Sequence, residues 1–203
     1  MIRKTMLGLG LMGMLSSDAN GEDTGKPYAD MSLGELTKQT YEKTVNLNDS
    51  NFKKEVVDYD GAVIILFDST CPQAEEWTNL STNMQKVYLQ LVDKFGETKV
   101  NNLPLKFASF DGCKYKGNNA RTILGLNVTT IETHMYLDGK EIDRVRGGPL
   151  TEKGINSVSR SMSYWIDYTL LGKRLPEDKD RDIILLYKGN FPWEEFPRSV
   201  LNQ

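Results

Sequence analysis

Cys71 and Cys113 are the only thiols in this 203-residue chain, and His134 is its only imidazole. Cys71 sits in Phe67-Asp68-Ser69-Thr70-Cys71-Pro72-Gln73-Ala74, directly after the apolar run Ala62 to Leu66 and at the start of a long amphipathic segment. A thiol between a buried strand and a helix N-terminus meets free backbone N–H groups and the positive end of the helix dipole, which favour the thiolate. Such a thiolate can attack a substrate disulfide and leave a mixed disulfide. Ala74 holds the position three residues on, so no neighbouring thiol resolves that adduct, and it persists until another thiol arrives. Glu75 and Glu76 oppose the negative charge, and no Lys, Arg or His stands close in sequence to offset them. Two readings of Cys71 follow: a monothiol nucleophile, or an inherited and unreactive cysteine. Cys113 follows Asp111-Gly112 and reads as a free, part-buried thiol; to pair with Cys71 its Cα would have to come within ~7 Å. His134 alternates with Met135 and reads as a strand histidine, satisfied or exposed, rather than a catalyst. One histidine and two cysteines exclude His-rich metal sites and a multi-disulfide scaffold, so neither a metal nor a cofactor is expected.

The elements that must position these residues are legible from periodicity. Thr44-Val45-Asn46-Leu47 alternates as a short strand, and Asp49 or Ser50 is placed to cap a helix carrying Phe52, Val56 and Val57. Ala62 to Phe67 is apolar throughout, as a central strand covered on both faces requires. Beyond Pro72, a first-turn proline, the residues Trp77, Leu80, Met84, Val87, Tyr88, Leu91, Val92 and Phe95 form one helical stripe that Gly96 can stop. Leu103 to Phe110 reads as a strand, and a short helix runs through Ala120, Ile123 and Leu124. Asp138-Gly139 between Thr133–Leu137 and Glu141–Val145 signals a hairpin. Ile155, Val158, Met162, Trp165 and Ile166 mark a last helix. The expected order is βαβαβαββα, with Phe67, Trp77, Leu80, Phe107, Met135 and Trp165 in the core.

The flanks carry compartment information. Arg3 and Lys4 precede an apolar stretch, Met6 to Leu15, and then Ser16-Ser17-Asp18-Ala19, which reads as a signal peptide over residues 1–19; the alternative is an ordinary N-terminal helix. The stretch is short of the ~20 apolar residues a membrane span needs, so no membrane association of the mature chain is expected. Residues 20–42 read as a polar leader or linker with one short helix after Ser32. Residues 173–203 join a charged connector to an apolar tail that either packs back on the domain or meets a partner. Sequons at Asn48, Asn79 and Asn127 fit a secretory route as glycosylation sites. Charged residues make up 26% of the chain with net charge -3, which leaves no basic field to recruit nucleic acid. The Lys and Arg residues read as ordinary surface.

Taken together, Phe67, the Cys71–Ala74 tetrapeptide, Asp111, the Val128–Thr133 turn, Asp138-Gly139 and Gly147-Gly148 fall in an order that resembles a thioredoxin-like domain of the protein disulfide isomerase family. The resemblance covers roughly Lys43 to Leu171, in a domain of residues 43–172. It implies an α/β fold with a central mixed sheet flanked by helices on both faces, and here a C-terminal extension. It places Cys113 on the same sheet edge as Cys71, and implies a substrate-binding surface of Pro72, Ile131, Glu132 and Thr133. The departures concern chemistry: Ala74 replaces the resolving cysteine, Leu66 stands where the family has a buried proton-moving Glu, and Glu132 stands where it has a cis-proline. A cis bond without proline costs ~3 kcal/mol, so the Ile131–Glu132 bond should be trans. The Glu132 carboxylate would also disfavour an anion at Cys71. Cys71-Pro72 is similar to the Cys-Pro step of peroxiredoxins as well, but Asp68 stands where that family has a Thr. The resemblance implies a protein of the endoplasmic reticulum lumen or a secreted one. It would bind polypeptide clients or thiol-bearing proteins, with at most monothiol exchange through Cys71; the alternative is an active oxidoreductase using Cys71 with Cys113 or an external thiol.

Overall fold

The computed structural model describes residues 28–69, 75–112 and 131–173, with the side chains of residues 76 and 77 outside that description. At its centre is β2 (Ala62–Asp68), buried at every position because an unbroken apolar run can be covered on both faces. It lies in a five-stranded mixed sheet of order β1-β5-β2-β6-β7. Strands β1 (Val45–Asn46) and β5 (Lys106–Asp111) run parallel to it, while β6 (Glu132–Leu137) and β7 (Lys140–Arg146) continue antiparallel. Asp138 and Gly139 join β6 to β7 with φ of 50° and 72°. Two consecutive positive φ values are what a two-residue hairpin turn needs to match the strands' twist.

Helix α2 (Glu75–Phe95) lays Leu80, Met84, Val87, Tyr88, Leu91 and Phe95 on one sheet face. Helix α3 (Ile155–Thr169) packs beside it through Val158, Met162, Trp165 and Ile166. The opposite face holds a second core of Phe52, Val56, Val63, Ile65, Phe67, Phe110 and Tyr136. The expected core residues Phe67, Leu80, Phe107, Met135 and Trp165 are all buried. The Trp77 side chain and the helix expected through Ala120 to Leu124 lie outside the described residues, as do the proposed signal peptide and most of the tail.

The helix expected after Ser32 is α1 (Leu33–Lys43), started by a Ser32–Glu35 capping box; what the leader reading did not include is its docking, which buries Leu36 with Leu89 of α2 and Tyr28. Two further features differ from the sequence reading. The helix expected from Asp49 or Ser50 is a π-helical turn (Lys53–Val57), preceded by side-chain bonds of Asn48 and Asn51 rather than by a cap at those positions. The single strand expected from Leu103 is divided: a small hairpin of β3 (Lys99–Val100) and β4 (Leu103–Pro104) precedes β5. Pro104 cannot donate to a ladder, which suits it to a short outlying strand.

Candidate functional site

Because β6 runs against β2, the C-terminal ends of β2, β5 and β7 meet the N-terminal end of β6 at one end of the sheet. There Asp68 pairs with Asp111, Phe67 with Glu132, and Glu132 with Arg146. Side chains alternate between faces, so two polar clusters form, one on each side.

On the α2 face Asp68 is 4% exposed. Its Oδ2 accepts from the Ser81 hydroxyl at 2.6 Å and from Gln85 Nε2 at 3.0 Å, and its Oδ1 accepts the Ser69 N–H at 2.6 Å. Burial pushes the Asp68 carboxyl above its ordinary range; the Gln85, Ser81 and Ser69 donors pull it down, and the neighbouring Asp111 charge pushes it further up. Asp111 accepts from the Tyr41 hydroxyl of α1 at 2.5 Å. Thr37 and Thr40, also on α1, each lie 3.4 Å from Gln85 Oε1. These groups line a cavity of about 10 Å³, room for about one water molecule. Helix α1 is thus part of the wall behind the two carboxyls.

On the other face His134 is wholly buried, its Nε2 2.9 Å from Glu132 Oε2 and its Nδ1 3.2 Å from Glu141 Oε2. Arg146 Nε lies 3.4 Å from Glu132 Oε1, and Arg144 Nε 2.6 Å from Glu141 Oε1. The Phe67 ring packs edge-on against the imidazole at 4.7 Å. Burial works to raise the Glu141 carboxyl, but His134 and Arg144 outweigh it and hold it below its ordinary value. His134 is therefore satisfied, and the Glu132 charge is met by His134 and Arg146 rather than left facing outward. Lys86 is buried too, bonded to the Ala29 carbonyl at 2.7 Å and to Glu152 at 3.0 Å. Lys86 corrects the reading of the basic residues as plain surface, while Arg144 is half-buried and Arg146 exposed.

Of the residues singled out from sequence, Cys71, Pro72, Cys113 and Asn127 lie outside the described residues. Ile131, Glu132 and Thr133 are all buried, and the Ile131 carbonyl is taken by the Gly147 N–H at 2.6 Å. No peptide bond among the described residues is cis, so Ile131–Glu132 is trans. Asn48 is half-buried and Asn79 exposed. The carboxyl pair went unread in the sequence. Its signal was a repeated Phe-Asp at the ends of two strand-like runs, Phe67-Asp68 and Phe110-Asp111, each just ahead of a cysteine. Among the described residues no cluster of His, Cys, Asp and Glu is placed to hold a metal ion, and no helix is long and apolar enough to cross a membrane. The chain matches no protein-family model and no curated protein.

Proposed function

We propose that this chain is a thioredoxin-like, disulfide-isomerase-related protein of the secretory pathway that binds polypeptides or thiol-bearing proteins, with at most monothiol exchange through Cys71. The observation that carries the reading is the convergence at one end of the sheet. The central strand ends in the buried carboxyl of Asp68, beside Asp111, Ile131–Glu132 and the Gly147-Gly148 loop. Cys71 follows Asp68 by three residues, a reach of at most ~11 Å. A carboxyl whose proton is held by burial is suited to exchanging that proton with a nearby thiol. Ala74 leaves the mixed disulfide without a resolving neighbour, so exchange ends in capture rather than turnover.

One observation favours the second reading, a thiol-disulfide oxidoreductase. Asp68 and Asp111 are register partners on adjacent parallel strands, and Cys113 is two residues past Asp111. Both cysteine-bearing segments therefore leave neighbouring strands, whose spacing is ~4.8 Å, at the same level.

The test is insulin-disulfide reduction, run beside the pH dependence of thiol alkylation. The binding reading expects no catalytic turnover. Turnover lost in Cys71→Ser but kept in Cys113→Ser overturns it in favour of an oxidoreductase using an external thiol, and turnover that needs both cysteines makes Cys113 the resolving thiol. Alkylation of Cys71 no faster than that of a free cysteine at neutral pH leaves binding as the function and removes the monothiol step.

A further inference from the structure

We propose that Asn48 is a glycan acceptor which the chain still presents after folding, and that Asn79 is one only before helix α2 docks. The inference rests on the secretory-pathway reading above and sorts its sequons by their geometry.

Enzymatic N-glycosylation requires the transferase to reach both the amide nitrogen of the Asn and the hydroxyl two residues on. Asn48-Asp49-Ser50 lies on the turn between β1 and the π-helical turn, with Asp49 and Ser50 exposed. The Asn48 Oδ1 accepts the Ser50 N–H at 2.8 Å and also the Ser50 hydroxyl, so the side chain is bent toward its own sequon hydroxyl. The Asn48 backbone N–H is anchored separately, on Asn51 Oδ1 at 2.8 Å. None of these bonds uses the Asn48 Nδ2. The recognition hydroxyl is therefore on an exposed bend beside the half-buried Asn48, and engaging the two takes no partner from a buried group of the core, unlike the Ser81 hydroxyl.

Asn79-Leu80-Ser81 is arranged otherwise. Asn79 is exposed, but Leu80 is 6% and Ser81 2% exposed. The Ser81 hydroxyl points inward and donates to Asp68 at 2.6 Å. A transferase can engage that hydroxyl only by unwinding the start of α2 and taking one of its donors from the buried Asp68 carboxyl, a cost of ~1–3 kcal/mol for the lost bond alone.

The reaction balances as a group transfer. The Asn48 Nδ2 forms a bond to the anomeric carbon of an oligosaccharide carried on a polyisoprenyl diphosphate, the sugar–phosphate C–O bond breaks, and the lipid diphosphate leaves. The amide proton passes to a base of the transferase.

The test uses full-length, unglycosylated, folded chain carrying Asn127→Gln, incubated with an oligosaccharyltransferase and its lipid-linked donor. The expected result is a one-glycan mobility shift, reversed by peptide N-glycosidase, that Asn79→Gln leaves intact and Asn48→Gln abolishes. Ser50→Ala, which keeps the Asn48 side chain and its bond from the residue-50 N–H, abolishes it equally, and Ser50→Thr keeps it. Urea-unfolded chain should accept glycan at both positions. Transfer to Asn79 of the folded chain, or no transfer to Asn48 in it, overturns the inference. The secretory reading is judged separately, by whether the chain expressed in secretory cells enters the lumen. A cytosolic chain refutes that reading whatever the purified protein accepts.

Discussion

Asp68 shows how one residue's surroundings decide its chemistry. Burial holds its proton above the ordinary value of 3.8, so the folded chain binds a proton there more readily than the unfolded chain. For a carboxyl with a raised folded value, the stabilising contribution is complete below the ordinary Asp range and is lost as pH rises through the raised value. Glu141 has the opposite sign: its folded value is lowered, so its contribution is present above the ordinary Glu range and lost on acidification. Replacing Asp68 by Asn should therefore flatten the fall in urea-unfolding stability between mildly acid and neutral pH and leave the Glu141 contribution in place. Equal slopes in the two proteins would mean that the buried carboxyl ionises without penalty. Tyr88 makes a second residue-level case. Its hydroxyl lies 2.8 Å from the Ile64 carbonyl and 2.6 Å from that of Ala108, and it accepts the Ala108 N–H at 3.1 Å, joining α2 to β2 and β5. Tyr88→Phe keeps the ring and strands those partners, so calorimetry or denaturant titration should read a loss of ~1–3 kcal/mol. Neither residue announced its role in the sequence: Tyr88 reads as one more member of an apolar stripe, and Asp68 as the first polar residue after a strand. Burial of a polar group is a property of what packs over it, and periodicity does not carry that.

At the scale of elements, the sequence was informative where one element's pattern is complete in itself. The run Ala62 to Phe67 could only be a strand covered on both faces, and it is the central strand. The α2 stripe and the Asp138-Gly139 turn are equally self-contained. Gly139 has a second constraint that no local pattern shows: a Cβ there would lie 2.0 Å from the Val57 carbonyl oxygen, because the hairpin tip sits against the end of the π-helical turn. Gly139→Ala should cost ~1–2 kcal/mol for the left-handed backbone alone and more for the contact. Thermal unfolding is the measurement, and a change within error would show that the hairpin can move off Val57. What the sequence did not carry were elements whose form depends on neighbours. The π-helical turn and the outlying β3–β4 hairpin have short or mixed patterns, and their identity is settled by what they dock against; α1 was legible as a helix after Ser32, but its docking was not.

For the molecule as a whole, the decisive element is α1, because it links the candidate site to a part of the chain outside the resemblance. The fold expected from residue 43 onward would leave the Asp68–Asp111 pair walled only by the sheet and α2. In the structure α1 adds Tyr41 to Asp111, sets Thr37 and Thr40 against Gln85, which in turn bonds Asp68, and buries Leu36 beside Leu89. Removing it uncovers apolar surface and takes partners from two buried polar groups at once. A chain beginning at Lys43 should therefore be less stable than one beginning at Tyr28 by ~3 kcal/mol or more, counting the loss of the Leu36 and Tyr28 burial and of the Tyr41 bond. Thermal unfolding of the two truncations side by side measures this, and limited proteolysis should cut the shorter chain sooner. Cys71 alkylation in the same pair then asks whether α1 reaches the thiol. With water admitted beside Asp68 the burial penalty on its charge falls, so that carboxyl ionises more readily, and its added negative charge should slow the reaction at a given pH. Equal stability of the two chains would return α1 to the role of a leader and confine the site to the sheet and α2.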